Sequence, residues 1–155
     1  MNRAIQAMRA VVTVALAAGC ASGGAQAMSS DDAITARQKL MKEEGATMKS
    51  IGDKLKAGDT SIAANAHTLV ETSQRIPALF PEGSLNPKVS RAKPEIWQKW
   101  TEFQDNAKRL GDKAGQLEAM AKSGASAQAM GAAVGDIGRT TCTTCHDAFR
   151  GPEIK

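Results

Sequence analysis

"IWQKWTEFQDNAKRLGDKAGQLEAMA", residues 96–121, places Ile96, Trp100, Phe103, Ala107, Leu110, Ala114, Leu117 and Ala121 at alternating steps of four and three. That rhythm is the 3.6-residue period of an α-helix with one apolar stripe, and the residues between are mostly charged or amide side chains. A single stripe of this kind needs other helices to cover it. The rest of the chain supplies them.

Upstream, from Asp31 to about Lys56, Ile34, Arg37, Met41, Met48 and Leu55 recur at helical spacing, with Ser30 and Asp31 placed to cap the start. "AGD" at 57–59 breaks this helix. Asp59 or Thr60 caps a second one, whose stripe reads Ile62, Ala66, Leu69, Ser73 and Ile76 and which Pro77 and Pro81 end. Residues 81–94, "PEGSLNPKVSRAKP", hold three of the five prolines and form the one long connection. Pro94 then opens the third helix, where a missing N–H costs little. After "KSGAS" at 122–126 a last helix runs from Ser126 through Met130, Val134, Ile137 and Thr141 towards Phe149. Four helices with mostly short links predict an all-α fold, an antiparallel up-and-down four-helix bundle. The absence of tyrosine and the scarcity of aromatics agree, and 155 residues make one domain.

The N-terminus belongs to another regime. Arg3 and Arg9 precede a short apolar run, "AVVTVALAA" at 10–18, and "AQA" at 25–27 offers small residues to a signal peptidase. The run is shorter than the roughly 20 residues a membrane span requires. Residues 1–27 therefore read as an export signal that leaves a periplasmic chain, residues 28–155, as the folded domain. "LAAGC" at 16–20 resembles a lipoprotein cleavage box that would instead lipidate Cys20, although Ala17 stands where such boxes usually carry leucine. The whole chain has a formal charge of +4, and removing Arg3 and Arg9 leaves 18 basic against 16 acidic residues. No basic block or stacking surface accompanies that mild excess, so nucleic acid is not an expected partner.

The chemistry lies in "RTTCTTCHDAFR", residues 139–150, which gathers two of the three cysteines and one of the two histidines within five positions. On a helix turning about 100° per residue, Cys142, Cys145 and His146 share an arc of about 100°. Two thiols one turn apart match the two vinyl groups of a haem, and the adjacent imidazole can then reach the iron. This is the Cys-x-x-Cys-His signature of one covalently attached haem c. Two rivals are weaker. A closed zinc site would need Cys142, Cys145, His146 and His67 together, and adjacent Cys145 and His146 rarely aim at one tetrahedral ion. A thioredoxin-like dithiol would sit at a strand-to-helix junction, and no convincing strand precedes it.

At this point the chain resembles the class II cytochromes c, the cytochrome c′ family. Besides the haem motif near the C-terminus, "DDAITARQKLM" (31–41) is similar to that family's first-helix start, "RAKPEIW" (91–97) to its entry into the third helix, and "FQDNAKRL" (103–110) to the body of that helix. "GDIGRTTCTTCHDAFR" (135–150) is similar to its haem-binding last helix. The resemblance implies a haem among the helices with His146 as proximal iron ligand. It puts Met41 at the distal position and Arg37, one turn earlier, beside a haem propionate. A distal methionine can supply a sixth, thioether ligand, giving low-spin iron of raised potential. The expectation is therefore a non-enzymatic, periplasmic carrier of single electrons with iron held by His146 and Met41. The alternative is a five-coordinate cytochrome c′ that binds nitric oxide or carbon monoxide. Redox proteins are the expected partners, and family members are often homodimers.

Other residues are read with less specific roles. Met48 lies too far along the helix to share the iron with Met41 and reads as core. Gly135 and Gly138, on the haem-facing stripe, offer either clearance for the porphyrin or close helix contact. Phe149 is expected to pack beside the imidazole, and Arg150 either to tune His146 or to end the helix as a solvated cation. His67 reads as a surface histidine. Trp97 and Trp100 are core candidates able to edge the haem.

Overall fold

The structure, a computed structural model, describes residues 28–154, so the signal-peptide and lipidation expectations lie outside the described residues. Six helical segments follow in order: α1 (Ser30–Lys56), α2 (Ala63–Arg75), α3 (Glu95–Gln98), α4 (Trp100–Lys122), α5 (Ala127–Ile137) and α6 (Thr144–Phe149). A 3₁₀ turn, Pro77–Leu79, follows α2, and a π-helical turn, Gly138–Thr143, joins α5 to α6. The long elements are α1, α2, α4 and the α5–α6 rod, and they pack as the expected bundle. No helix among the described residues is long and apolar enough to cross a membrane.

The caps depart from the sequence reading by a residue or two. Ser29, rather than Ser30 or Asp31, caps α1 by accepting the Asp32 N–H at 3.2 Å, while Asp31 and Asp32 occupy the first turn. Carboxylates there favour the positive end of the helix dipole, as Lys54 and Lys56 favour the negative end. Asp59 does not cap α2. Its carboxylate accepts the Ser61 N–H at 2.8 Å and shapes the approaching turn, and the N-cap position falls to Ile62, which is fully buried. Burial of an isoleucine, worth about 1.5–3 kcal/mol, outweighs the ~1 kcal/mol of a side-chain cap. Ser126 caps α5 by accepting the Ala129 N–H, as its position suggests.

The third predicted helix is broken. Lys99 adopts φ −120° and ψ 47°, which separates the short α3 from α4. The break lets Trp97 donate its indole N–H to Phe80 O at 3.0 Å and Pro81 O at 3.2 Å. Those carbonyls sit in an irregular loop, and an unpaired buried carbonyl is costly. Beyond the break the stripe behaves as read: Phe103, Ala107, Leu110, Ala114 and Leu117 are buried, and Trp100 and Ala121 are partly buried against them.

Helices α2 and α4 form the most extensive contact of the bundle. Gly111 makes it possible, since a Cβ built there would lie 2.6 Å from Ser73 Oγ. Ser73 is itself buried and donates to Val70 O at 2.7 Å, so it has little room to move. Gly111→Ala should therefore destabilise the protein by about 1–3 kcal/mol despite alanine's better helix propensity. Urea unfolding of the two proteins measures this. An unchanged midpoint would mean that the helices separate freely.

The long connection is tied to the end of the chain. Lys93 N–H donates to Phe149 O at 3.0 Å, Gly151 N–H to Arg91 O at 2.6 Å, and Ala92 pairs with Arg150 as an isolated antiparallel bridge. These bonds hold α3 and the residues before it against α6.

Candidate haem site

Spacings of four and three along α1 put Arg37, Met41 and Glu44 on one face. The last helix brings Cys142, Cys145 and His146, and α4 brings Phe103 and Leu110. Together these line a cavity of about 520 Å³, within the ~300–1,000 Å³ typical of cofactor sites. A smaller cavity of about 290 Å³ shares Met41, Glu44, Leu110, Cys142 and His146 with it and adds Gly45, Met48, Leu69 and Gly138. Met48, read as core, is thus partly buried against the core and also walls the smaller cavity.

The motif does not lie on a uniform α-helix. Cys142 falls within the π-helical turn, and Cys145 and His146 lie on α6, so the 100° arithmetic holds only for the latter pair. Thr141 Oγ1 donates to Ile137 O at 2.6 Å and Thr140 Oγ1 to Asp136 O at 2.9 Å. Such threonine bonds to the preceding turn bend and loosen a helix. Thr144 Oγ1 reaches back five residues to Arg139 O. The four threonines around Cys142 are the sequence signal for this turn. On the outer side Lys113 of α4 is ion-paired with Asp136 and donates to Thr140 Oγ1, which fixes the widened segment against the bundle.

Burial holds both thiols in their neutral form: the Cys142 pKa is raised, and that of Cys145 is pushed up to about 11. Thiols so placed are poor thiolate ligands for zinc. His67, the fourth ligand such a site would need, lies elsewhere, its Nδ1 3.2 Å from Glu118 on an exposed face. His146 has its pKa lowered, first by burial and then by the charges of Arg150 and Arg91. Its imidazole therefore keeps a free lone pair near neutral pH.

Two groups stand without counterions. Arg37 is 3% exposed and its Nη atoms donate to Ser84 Oγ (2.9 Å), Ser84 O (2.8 Å) and Ser90 Oγ (2.9 Å), with the guanidinium 4.7 Å above the Phe80 ring. Among the described residues no carboxylate pairs with it, although it lines the larger cavity. Glu44 escaped the sequence reading. Its Oε1 is shielded from water with no hydrogen-bond partner among the described residues, and burial pushes its pKa up to about 7. Its place three residues after Met41 and seven after Arg37 was the available signal. A buried cation on the wall, two neutral thiols, an imidazole and a largely apolar cavity fit a haem, whose propionates could answer Arg37 and whose vinyl groups could answer the thiols.

The other expectations divide. Gly138 borders the smaller cavity and a Cβ there would meet nothing within 4 Å, which agrees with clearance and rules out close helix contact. At Gly135 a Cβ would come within 3.3 Å of Arg139 Nη1 on its own helix segment, so that glycine has no role at the cavity. Phe149 is buried edge-to-face on Phe103 at 5.4 Å and shares the cavity wall with His146. Arg150 is exposed at the same cavity. Neither tryptophan lines it: Trp97 serves the loop, and Trp100 stacks on Phe103 at 5.5 Å.

Comparison with known proteins places this arrangement. Residues 32–150 match the family described as Cytochrome C′. Cytochrome c′ of Pararhodospirillum photometricum is 32% identical over 117 residues, covering 74% of this chain and 92% of its own. The crystal structure of cytochrome c′ from Thermochromatium tepidum superposes with a TM-score of 0.71 at 28% identity, over 81% of this chain and 99% of that one. A mutant of cytochrome c prime from Alcaligenes xylosoxidans, solved as its nitric oxide complex, gives a TM-score of 0.70 at 28% identity, over 79% and 97%.

These matches correct the expected electron carrier with Met41 on the iron. They fall on a group whose iron is five-coordinate, with no stable distal methionine. In the structure Met41 lines both cavities and is also partly buried against the hydrophobic core, a place that suits a flexible gap-filling methionine. The motif, the bundle and the matched span agree, and the chain belongs to the cytochrome c′ family.

Proposed function

We propose that this chain is a periplasmic cytochrome c′ that would hold one haem c in this cavity and bind nitric oxide or carbon monoxide there. One observation carries the reading: Cys142, Cys145 and His146 share the wall of a largely apolar cavity roofed by α1. The relative solved with nitric oxide supports it. Bound haem supplies an iron able to take up a neutral diatomic molecule and to exchange single electrons. Cys142 and Cys145 would anchor the group through thioethers, and His146 would offer its free nitrogen to the metal. Arg37 offsets a propionate charge, while Phe149 and Phe103 keep water from the imidazole side. Met41 bounds the gas-binding space as an apolar wall. Redox proteins of the same compartment are the partners that reduce the site. No residue has a catalytic role.

Absorption spectra of the matured holoprotein test this. The oxidised form should be high-spin, the reduced form should take up carbon monoxide, and Met41→Leu should leave the spin state unchanged. A low-spin oxidised spectrum indifferent to carbon monoxide, turning high-spin in Met41→Leu, would overturn the reading.

A further inference from the structure

Glu44 is the only carboxylate among the residues that line either cavity. The basic residues Arg37, Lys42, Arg91 and Arg150 line the larger cavity, and none of them borders the smaller one. Glu44 thus stands at an apolar end, beside Met48, Leu69, Leu110 and Gly138, with one oxygen shielded from water and unpaired. A lone buried carboxylate is costly, and so is a polar oxygen left without a partner. A protein that keeps one at its cofactor cavity has a group whose charge answers changes in the charge of that cofactor.

We infer that Glu44 is a redox-linked proton site: when the holoprotein accepts one electron from a one-electron donor, the Glu44 carboxylate takes one proton from solvent, and it returns the proton on reoxidation. One electron enters, one O–H bond forms, and the net charge of the cavity is unchanged. The driving force is Coulombic, since an added negative charge near a carboxylate in a low-dielectric cavity favours the neutral acid. Burial already pushes the Glu44 pKa up to about 7, with Thr72 of α2 opposing in part and Glu43 of α1 adding to it. Cys142 and Cys145 also face it, and the Glu44 charge helps to hold both thiols neutral; as thioethers they would carry no charge either. His146, Arg91 and Arg150 face the cavity from α6 and the connection, and Arg37 and Lys42 from α1. A bound haem deepens the burial that dominates the balance.

The inference rests on haem in this cavity, but not on an open sixth position. Its test is a potentiometric titration of the holoprotein from about pH 5 to about pH 9, with proton uptake on reduction followed by an indicator dye. Below the oxidised-state pKa Glu44 is protonated in both oxidation states, so the potential stays flat. Above about pH 7, up to the pKa that Glu44 has in the reduced state, reduction draws in a proton, so the potential falls with rising pH towards a limiting slope of about 59 mV per pH unit before levelling again. Glu44→Gln should remove the slope and the uptake. Glu44→Asp, which keeps an acid, should shift the onset while retaining the slope. A native slope that persists in Glu44→Gln, or reduction near pH 7.5 without proton uptake (a value set about half a unit above that pKa), overturns the inference. Absence of carbon monoxide binding would remove the gas-binding reading and leave this slope in place.

Discussion

Matured beside the native chain, the double variant Cys142→Ser, Cys145→Ser should emerge at bare polypeptide mass, with no haem retained through acid–acetone extraction. The two sulfurs are the only thiols among residues 28–154 and both border the cavity. Serine hydroxyls form no thioether under those conditions. The consequence extends to the fold. Emptied of haem, the cavity of about 520 Å³ is partly open to solvent and would leave its largely apolar walls wet, at about 25 cal/mol per Å² of apolar surface exposed. The haem-free chain therefore should not hold the native cavity. It should keep its helical circular dichroism, lose the near-ultraviolet signal of Trp97 and Trp100, and bind a hydrophobic dye. Native near-ultraviolet dichroism in the haem-free double variant would show that the bundle closes without its cofactor.

The second large effect is expected at Arg37. Arg37→Leu removes the donors that serve Ser84 O, Ser84 Oγ and Ser90 Oγ, three acceptors on residues that are themselves buried. Unpaired buried acceptors cost about 1–3 kcal/mol each. Ser84 Oγ retains its donation to Pro81 O and Ser90 Oγ still accepts the Ala92 N–H at 3.3 Å, which softens the loss and leaves Ser84 O as the main orphan. A net destabilisation of about 3–4 kcal/mol follows. Arg37→Lys should cost less, about 2 kcal/mol, because a single ammonium cannot serve both serines with the geometry of the guanidinium fork. Urea unfolding of the holoproteins measures both, and limited proteolysis should show new cleavage between residues 80 and 90 in Arg37→Leu. Equal stability of all three proteins would mean that the loop is held by Trp97 and the Arg150 bridge alone.

Much of the fold was legible because it depends on period. The stripe from Ile96 to Leu117, apart from the partly buried Trp100, and the stripe from Ile62 to Ile76 buried the residues that their spacing selected, since a helix face is a one-dimensional property of the chain. The break at Lys99 was not legible. It answers two carbonyls of a loop some 18 residues earlier, and nothing local marks Lys99 as a poor helix residue. The Asp59 cap failed for a similar reason, because burial of Ile62 decided where α2 begins.

The candidate site divides along the same line. Cys142, Cys145 and His146 announced themselves by covalent spacing, whereas Arg37 and Met41 entered only through the family resemblance of residues 31–41. The function attached to Met41 went astray because a thioether on a buried helix face reads alike whether it packs or ligates, and family membership settles against ligation. Glu44 went unnoticed because a carboxylate in the charged run Lys42–Glu43–Glu44 looks solvated until the neighbouring helices are in place.

By itself, the order of residues determined four amphipathic helices and a haem-attachment motif, since periodicity and short spacings are written along the chain. Only the tertiary structure decided that Arg37 is locked to Ser84 and Ser90 and that one carboxylate oxygen of Glu44 is shielded from water. Each of those depends on dielectric and contact between segments distant in sequence, which no local pattern encodes.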